Sequence, residues 1–308
     1  MKKNFLLILL AIIFASTAFA DDSTSEKLFK LVEDENATAS QVKDLIEAGA
    51  DVNFHSNDQT LLMHAYEYSN YEIAKILLEY GADVNEKYGY GGSTVLIEAL
   101  SEIGELSPEA REFVKVLIKA GADVNLRDDF NCPPLVFAAE DTETIKILLD
   151  AGADVNASDN EGETILIRAA AFNPNPDAIK ILLDAGADLN AKDENGMNAL
   201  IRAAGSNENP EITKILINAG LNVNSRDNER KTPLIWATTG LTEDLAEIGN
   251  PEVVKFLLQA GANPKLKDKY GKTALDYARE ENITQIKKIL EDFTKSKSNK
   301  NKNSKKSR

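Results

Sequence analysis

The sequence predicts an all-α solenoid of about eight helix-turn-helix repeats joined by hairpin-like loops, and three observations predict it. The segment ILLDAGADVN at residues 147–156 has close copies along the chain; aligned on their glycine they fall at Gly49, Gly81, Gly121, Gly152, Gly186, Gly220 and Gly261. The intervals are 32, 40, 31, 34, 34 and 41 residues, a period that marks a stack of small units rather than a single globular core. Each copy ends a run with apolar residues at helical spacing, such as Ile212, Ile215, Leu216 and Ala219, while Thr213, Lys214 and Asn218 point elsewhere.

In chain order, the first segment is of another kind. Lys2 and Lys3 precede an apolar run over residues 5–14, and Ala18-Phe19-Ala20 stands before Asp21. This reads as a secretory signal peptide over 1–20 with an A-x-A cleavage site, the apolar run being well short of the ~20 residues of a membrane span. The mature chain is then expected to be exported, periplasmic or secreted, with no integral membrane segment after cleavage. Its one cysteine, Cys132, cannot form an internal disulfide and is expected as a small buried apolar residue, an intermolecular bridge being the alternative.

From 21 to 293 the repeat governs. A first helix of each unit is visible as TLLMHAY from Thr60, TVLIEAL from Thr94, PPLVFAA from Pro133, TILIRAA from Thr164, NALIRAA from Asn198, TPLIWAT from Thr232 and TALDYAR from Thr273. Threonine before the apolar run suits a helix N-cap. Ser107-Pro108, Asn175-Pro176, Asn209-Pro210 and Asn250-Pro251 pair a capping side chain with proline at the first helical position, marking starts of the second helix. The glycine of the repeat ends that helix, where the chain must turn left-handed. Polar tips such as those at 159–162 and 193–196 read as tight hairpin-like turns. The two long intervals come from insertions between paired helices, near 101–106 and 238–249, which are expected to be tolerated loop length.

These residues resemble the ankyrin repeat family, whose units carry T-P-L-H-x-A in the first helix and close with a G-A-D-V-N loop. The resemblance covers nearly all of 25–293, as an N-terminal cap, six full repeats and a C-terminal cap. Where the family often has histidine, this chain has Met63, Ile97, Val136, Ile167, Ile201, Ile235 and Asp276, so apolar packing is expected to replace a hydrogen-bonding rung. One helix pair cannot bury its apolar face alone, whereas a stack can, which is why the segment recurs.

No catalytic or cofactor constellation accompanies the repeat. Two histidines, His55 and His64, and one cysteine leave no Cys/His zinc cluster and no Cys-His pair. The glycines at 89, 91 and 92 lack the strand and spacing of a phosphate loop, and the stretch from Asp154 to Asp159 lacks the glycine and closing glutamate of a calcium loop. No enzyme activity and no cofactor are expected. Residues 21–292 carry 26 basic against 50 acidic side chains, a surface that repels nucleic acid, so no nucleic-acid partner is expected.

Comparison of the copies with one another separates packing positions from free ones. The slot before the alanine of each first helix holds His64, Glu98, Phe137, Arg168, Arg202, Trp236 and Tyr277. No single buried environment suits all of these, so the slot is expected to be at least partly exposed. In ankyrin-like stacks the first helices and hairpin tips line a concave surface. A binding site for a protein partner is accordingly expected at Phe137, Arg168, Arg202, Trp236 and Tyr277, two arginines flanked by aromatics in an acidic body. The alternative is that the arginines pair with neighbouring carboxylates and the aromatics cover repeat junctions. Tip aromatics Phe54, Tyr88, Tyr90, Phe130 and Tyr270 extend the surface more weakly.

Residues 294–308 are expected to form a disordered basic tail, since 295–308 has no acidic and no apolar residue. It would solubilise, contact the acidic body, or touch an anionic surface weakly. The reading is a non-catalytic protein-interaction module or scaffold outside the cytoplasm. A secreted effector, an enzyme-inhibiting or immunity protein, and an envelope tether acting through the tail are the alternatives.

Overall fold

The computed structural model describes residues 22–34, 36–56, 59–101, 104–241 and 249–306. The expected signal peptide and residues 242–248 of the second insertion lie outside the described residues. Two compact units are present, one formed mainly by residues up to Phe130 and the other by those from Asn131.

In the first unit three helix pairs follow one another: α1 Asp22–Val32 with α2 Ala39–Glu47, α3 Leu61–Glu67 with α4 Tyr71–Glu79, and α5 Val95–Leu100 with α6 Pro108–Lys119. A short hairpin, β1 His55–Ser56 and β2 Gln59–Thr60, joins the first two pairs in antiparallel register, His55 opposite Thr60. The second unit holds five pairs: α7 Pro134–Phe137 with α8 Thr142–Asp150, α9 Ile165–Phe172 with α10 Pro176–Asp184, α11 Ala199–Ser206 with α12 Pro210–Asn218, α13 Pro233–Thr239 with α14 Pro251–Gln259, and α15 Ala274–Glu280 with α16 Thr284–Lys306. First helices pack on first helices (α9 on α11, α11 on α13, α13 on α15), and second on second (α10 on α12, α12 on α14, α14 on α16). That is the predicted all-α repeat stack, and the pairs number eight among the described residues.

The helix boundaries follow from their caps. Thr60, Thr94, Thr164, Thr232 and Thr273 each accept a hydrogen bond from the backbone N–H three residues on, and Asn198 does the same. Pro133 offers no side-chain cap, and α7 behind it is the shortest first helix, four residues long. Ser107, Asn175, Asn209 and Asn250 cap the second helices that begin at their prolines. At the other end Gly152 takes φ +92°, so that Ala153 N–H returns to the carbonyl of Leu148 at 3.0 Å. A side chain there would be strained, which is why the position holds glycine.

Six of the seven slots that replace the family's histidine are buried, with Ile167, Ile201 and Ile235 at most 1% exposed, as expected; the seventh, Asp276, is half-buried and accepts from the Thr273 N–H and hydroxyl in a capping box. Hydrogen bonding between repeats is nevertheless present, moved onto asparagines. Asn173 Nδ2 donates to Ala139 O at 2.9 Å, and Asn207 Nδ2 to Ala170 O and Asn173 O at 3.0 and 2.9 Å. Asparagines that close repeated segments, Asn85 and Asn156 among them, have the same task at the loops. Asn156 Nδ2 donates to Gly186 O and its Oδ1 accepts from Asp188 N–H; Asn85 does this with Gly121 and Asp123.

Two expectations need adjustment. Cys132 is half-buried rather than fully buried, because it sits in the loop just before the α7 cap. The backbone of α16 is helical as far as Lys306, so it runs into the stretch whose composition predicts disorder. Its buried residues Ile286 and Leu290 and the half-buried Phe293 all lie before that stretch.

Candidate interaction surface

Phe137, Arg168, Arg202, Trp236 and Tyr277 each occupy the fourth position of their helix, on α7, α9, α11, α13 and α15. Because those helices pack side by side, the five positions form one row within the second unit. All five are half-buried, so the slot is partly exposed as the variation between copies requires. In the first unit Glu98 is half-buried too, but His64 is only 5% exposed. It stacks on Phe29 of α1 with ring centroids 4.0 Å apart, and its Nε2 lies 3.1 Å from Glu33. The N-terminal pair covers that slot.

Three members of the row are oriented by acids nine residues upstream. Arg202 donates Nη2 and Nε to Asp193 Oδ2 at 2.8 and 3.2 Å. Trp236 donates Nε1 to Asp227 Oδ2 at 2.8 Å, and the Tyr277 hydroxyl donates to Asp268 Oδ2 at 2.5 Å. Each acid spends its other oxygen on its own loop: Asp193 Oδ1 accepts from the N–H groups of Asn195 and Met197, Asp227 Oδ1 from Lys231, and Asp268 Oδ1 from Tyr270 and Lys272. Asp159 performs the loop half of this task through Glu161 and Glu163 N–H. Arg168 instead turns to Glu163, with Nη1 at 2.8 Å from Oε2, and Arg202 Nη2 stands 3.8 Å from the other oxygen of Glu163. Glu163 thus links the arginines of adjacent repeats.

Those contacts set the local electrostatics. Burial works to raise the Asp268 carboxyl, but the Tyr277 hydroxyl and the Lys272 and Tyr270 N–H groups outweigh it and hold it below the usual carboxylate range. Burial, then the Asp268 carboxylate, pushes the Tyr277 hydroxyl up. Lys231 Nζ lies 4.1 Å from the Trp236 ring centre and 5.9 Å from that of Tyr277, and Lys272 lies 5.1 Å from Tyr277. Arg168 stands 5.9 Å over the Phe172 ring, a side chain 47% exposed.

The arginine–carboxylate pairing weighed from the sequence is therefore present, and the row is a set of side chains held in place from below. Sequence reasoning missed Glu163, Asp193, Asp227, Asp268 and Lys231. The constant spacing of nine from loop aspartate to variable slot was the available signal. The tip aromatics divide: Phe54 is half-buried in edge contact with Phe29, and Tyr88 is half-buried, whereas Tyr90, Phe130 and Tyr270 are exposed. Among the described residues no group of three or more His, Cys, Asp or Glu side chains is placed to hold a metal, and no helix is long and apolar enough to cross a membrane.

Stacked helix pairs closed by polar hairpin loops, with variable side chains in a row on the first helices, define a class: the helical repeat protein whose constant positions pack and whose variable positions face outward. Models of the ankyrin repeats match residues 28–128, 106–193 and 168–248, and a single-repeat model matches 229–269, so the chain belongs to the ankyrin repeat family. Over 93 residues it is 39% identical to the Ankyrin repeat and KH domain-containing protein mask-1 of Caenorhabditis elegans, covering 30% of this chain and 3% of that protein. Over 76 residues it is 36% identical to the Mitochondrial disaggregase of Homo sapiens, covering 25% of this chain and 10% of that protein. The similarity thus spans a small part of either relative. Ankyrin repeats are generally protein–protein interaction modules and non-catalytic binding scaffolds.

Proposed function

We propose that this chain is a non-catalytic scaffold that works outside the cytoplasm and binds a partner protein through Phe137, Arg168, Arg202, Trp236 and Tyr277. The observation that carries the reading is the contrast between constant and variable positions. Asp193, Asp227 and Asp268 recur in the same loop role, while the residues they orient are a guanidinium, an indole and a phenol. A surface whose supports repeat and whose presented groups differ is pre-organised without being uniform, which lowers the ordering cost of binding. Arginine, tryptophan and tyrosine are also the side chains that dominate interface energetics.

Export is the second part of the proposal and rests on the Lys2-Lys3, apolar and Ala18-Phe19-Ala20 pattern. N-terminal sequencing of the protein recovered from its own cells is expected to begin at Asp21; a chain beginning at Met1 and confined to the cytoplasm overturns it. For the surface, protein starting at Asp21 is used as bait beside an Arg168→Ala, Arg202→Ala, Trp236→Ala variant, and captured partners are titrated against both. A partner bound by the unmodified chain and lost by the variant supports the reading. Equal affinity for both moves the site elsewhere.

A further inference from the structure

The hairpin between α4 and α5 differs from the second-unit tips at 159–162 and 193–196 in what it presents. At 159–162 and 193–196 the tips are polar, and an aspartate satisfies the loop N–H groups. The tip after Tyr88 reads Gly89-Tyr90-Gly91-Gly92, closed by Tyr88 N–H to Ser93 O at 3.0 Å. Its glycines take positive φ, and side chains of the next loop approach them: a Cβ on Gly92, at φ +58°, would lie 2.3 Å from the Asp129 carboxyl, and one on Gly91, at φ +117°, 3.0 Å from the Phe130 ring. Asp129 N–H donates to Gly91 O at 2.8 Å, seating the following loop against the tip.

That close approach builds a cleft of about 840 Å³ whose lining includes His55, Glu86, Lys87, Tyr88, Tyr90 and Asp129. Tyr90 is fully exposed and Phe130 is 57% exposed, the two rings standing edge to face with centroids 6.4 Å apart. Neither ring fills a core, and the tips at 159–162 and 193–196 place no aromatic at the same point. Glu86 and Asp129 flank them; His55 Nε2 lies 2.7 Å from Glu86, and Lys87 Nζ lies 3.2 Å from Asp129 Oδ1. Asp129 is 62% exposed at its side chain.

We propose that this cleft binds a lysine- or arginine-rich extended peptide segment of a partner protein. Exposed aromatic faces accept the aliphatic stem and the cation of such side chains, and adjacent carboxylates pair with the charge. Charge complementarity favours this occupant over an acidic or neutral one, because residues 21–292 hold 50 acidic against 26 basic side chains. The cleft lies in the first unit and the row from Phe137 to Tyr277 in the second, so this proposal stands or falls separately from the one above.

The test is calorimetric titration of the full chain with a synthetic peptide of alternating lysine and serine, beside the same peptide carrying glutamine for lysine. Tyr90→Ala, which leaves the charge of the chain unchanged, and Asp129→Asn are each expected to weaken the lysine peptide by about 2- to 5-fold, the size of one exposed cation–π or ion-pair contact. Asn218→Ala, at an exposed position of α12 that belongs neither to the cleft nor to the row, is expected to bind like the unmodified chain, and the glutamine peptide not to bind. Undiminished binding by Tyr90→Ala would assign the affinity to diffuse charge and overturn the proposal. Equal binding of the glutamine peptide overturns it too, as does a cleft that takes a neutral oligosaccharide such as cellotetraose and no peptide.

Discussion

Asp193, Asp227 and Asp268 each divide their two carboxylate oxygens between a loop and a surface side chain, so one buried residue sets both the hairpin and the group it presents. Replacing Asp193 with alanine strands the Asn195 and Met197 N–H groups and leaves Arg202 only its 3.8 Å contact with Glu163. The expected loss is about 1–3 kcal/mol in urea unfolding, the cost of buried groups left without partners. Asp193→Asn keeps the loop acceptor and should cost less. Asp268 and Tyr277 predict a pH dependence at both ends. The folded Asp268 carboxyl is held below its unfolded value, so its contribution is present above the ordinary carboxylate range and is lost as pH falls through the folded value. Tyr277 is held above its unfolded value, so its contribution is present below the ordinary phenol range near ~10 and is lost as pH rises through the folded value. Melting curves should show Asp268→Asn flattening the acid limb and Tyr277→Phe flattening the alkaline one. An unchanged acid limb in Asp268→Asn would mean that this carboxyl is not held by its loop.

At the scale of the element, the caps and the closing glycines decide where helices begin and end, and they were readable directly because their chemistry is local. Thr232→Ala removes the acceptor that takes Ile235 N–H, and about 1 kcal/mol of stability should go with it. Gly152→Ala places a Cβ at φ +92°, and a loss of about 1–2 kcal/mol is expected even though open space surrounds the atom. That pairing distinguishes backbone strain from crowding, since no neighbour lies within 4 Å of the added carbon. What local chemistry did not reveal was the asparagine bonding between repeats. Asn173 and Asn207 look like ordinary loop residues until the carbonyls of Ala139 and Ala170, more than thirty residues upstream, are brought to them.

For the molecule as a whole, stability is distributed along the stacked pairs within each unit, and the last pair depends on Ile286, Leu290 and Phe293. Residues 294–306 of α16 include no apolar side chain, so their composition offers little to stabilise a helix by burial. Limited trypsin digestion is expected to trim lysines from 295 onward while the body up to Phe293 survives. Protection of those lysines through Lys306 would instead show an ordered basic helix, and salt-sensitive binding to anionic vesicles lost on deleting 295–308 would make it a tether.

The repeat period, the helix pairs, their caps and the identity of the variable slot were set by the sequence itself, because each depends on residues within a few positions of one another. The half-buried slot that the five residues of the row occupy could be picked out too, since seven aligned copies expose which position varies. Only the tertiary structure decided how those residues are held and where the remaining exposed chemistry lies. Glu163 reaches from Arg168 to Arg202, α1 buries His64, and Asp129 fits against Gly92 only once separate repeats are stacked. The physical reason is one of range: backbone geometry and capping act within a turn, whereas partners in a hydrogen bond or a ring contact here come from neighbouring repeats, and packing alone brings them within reach.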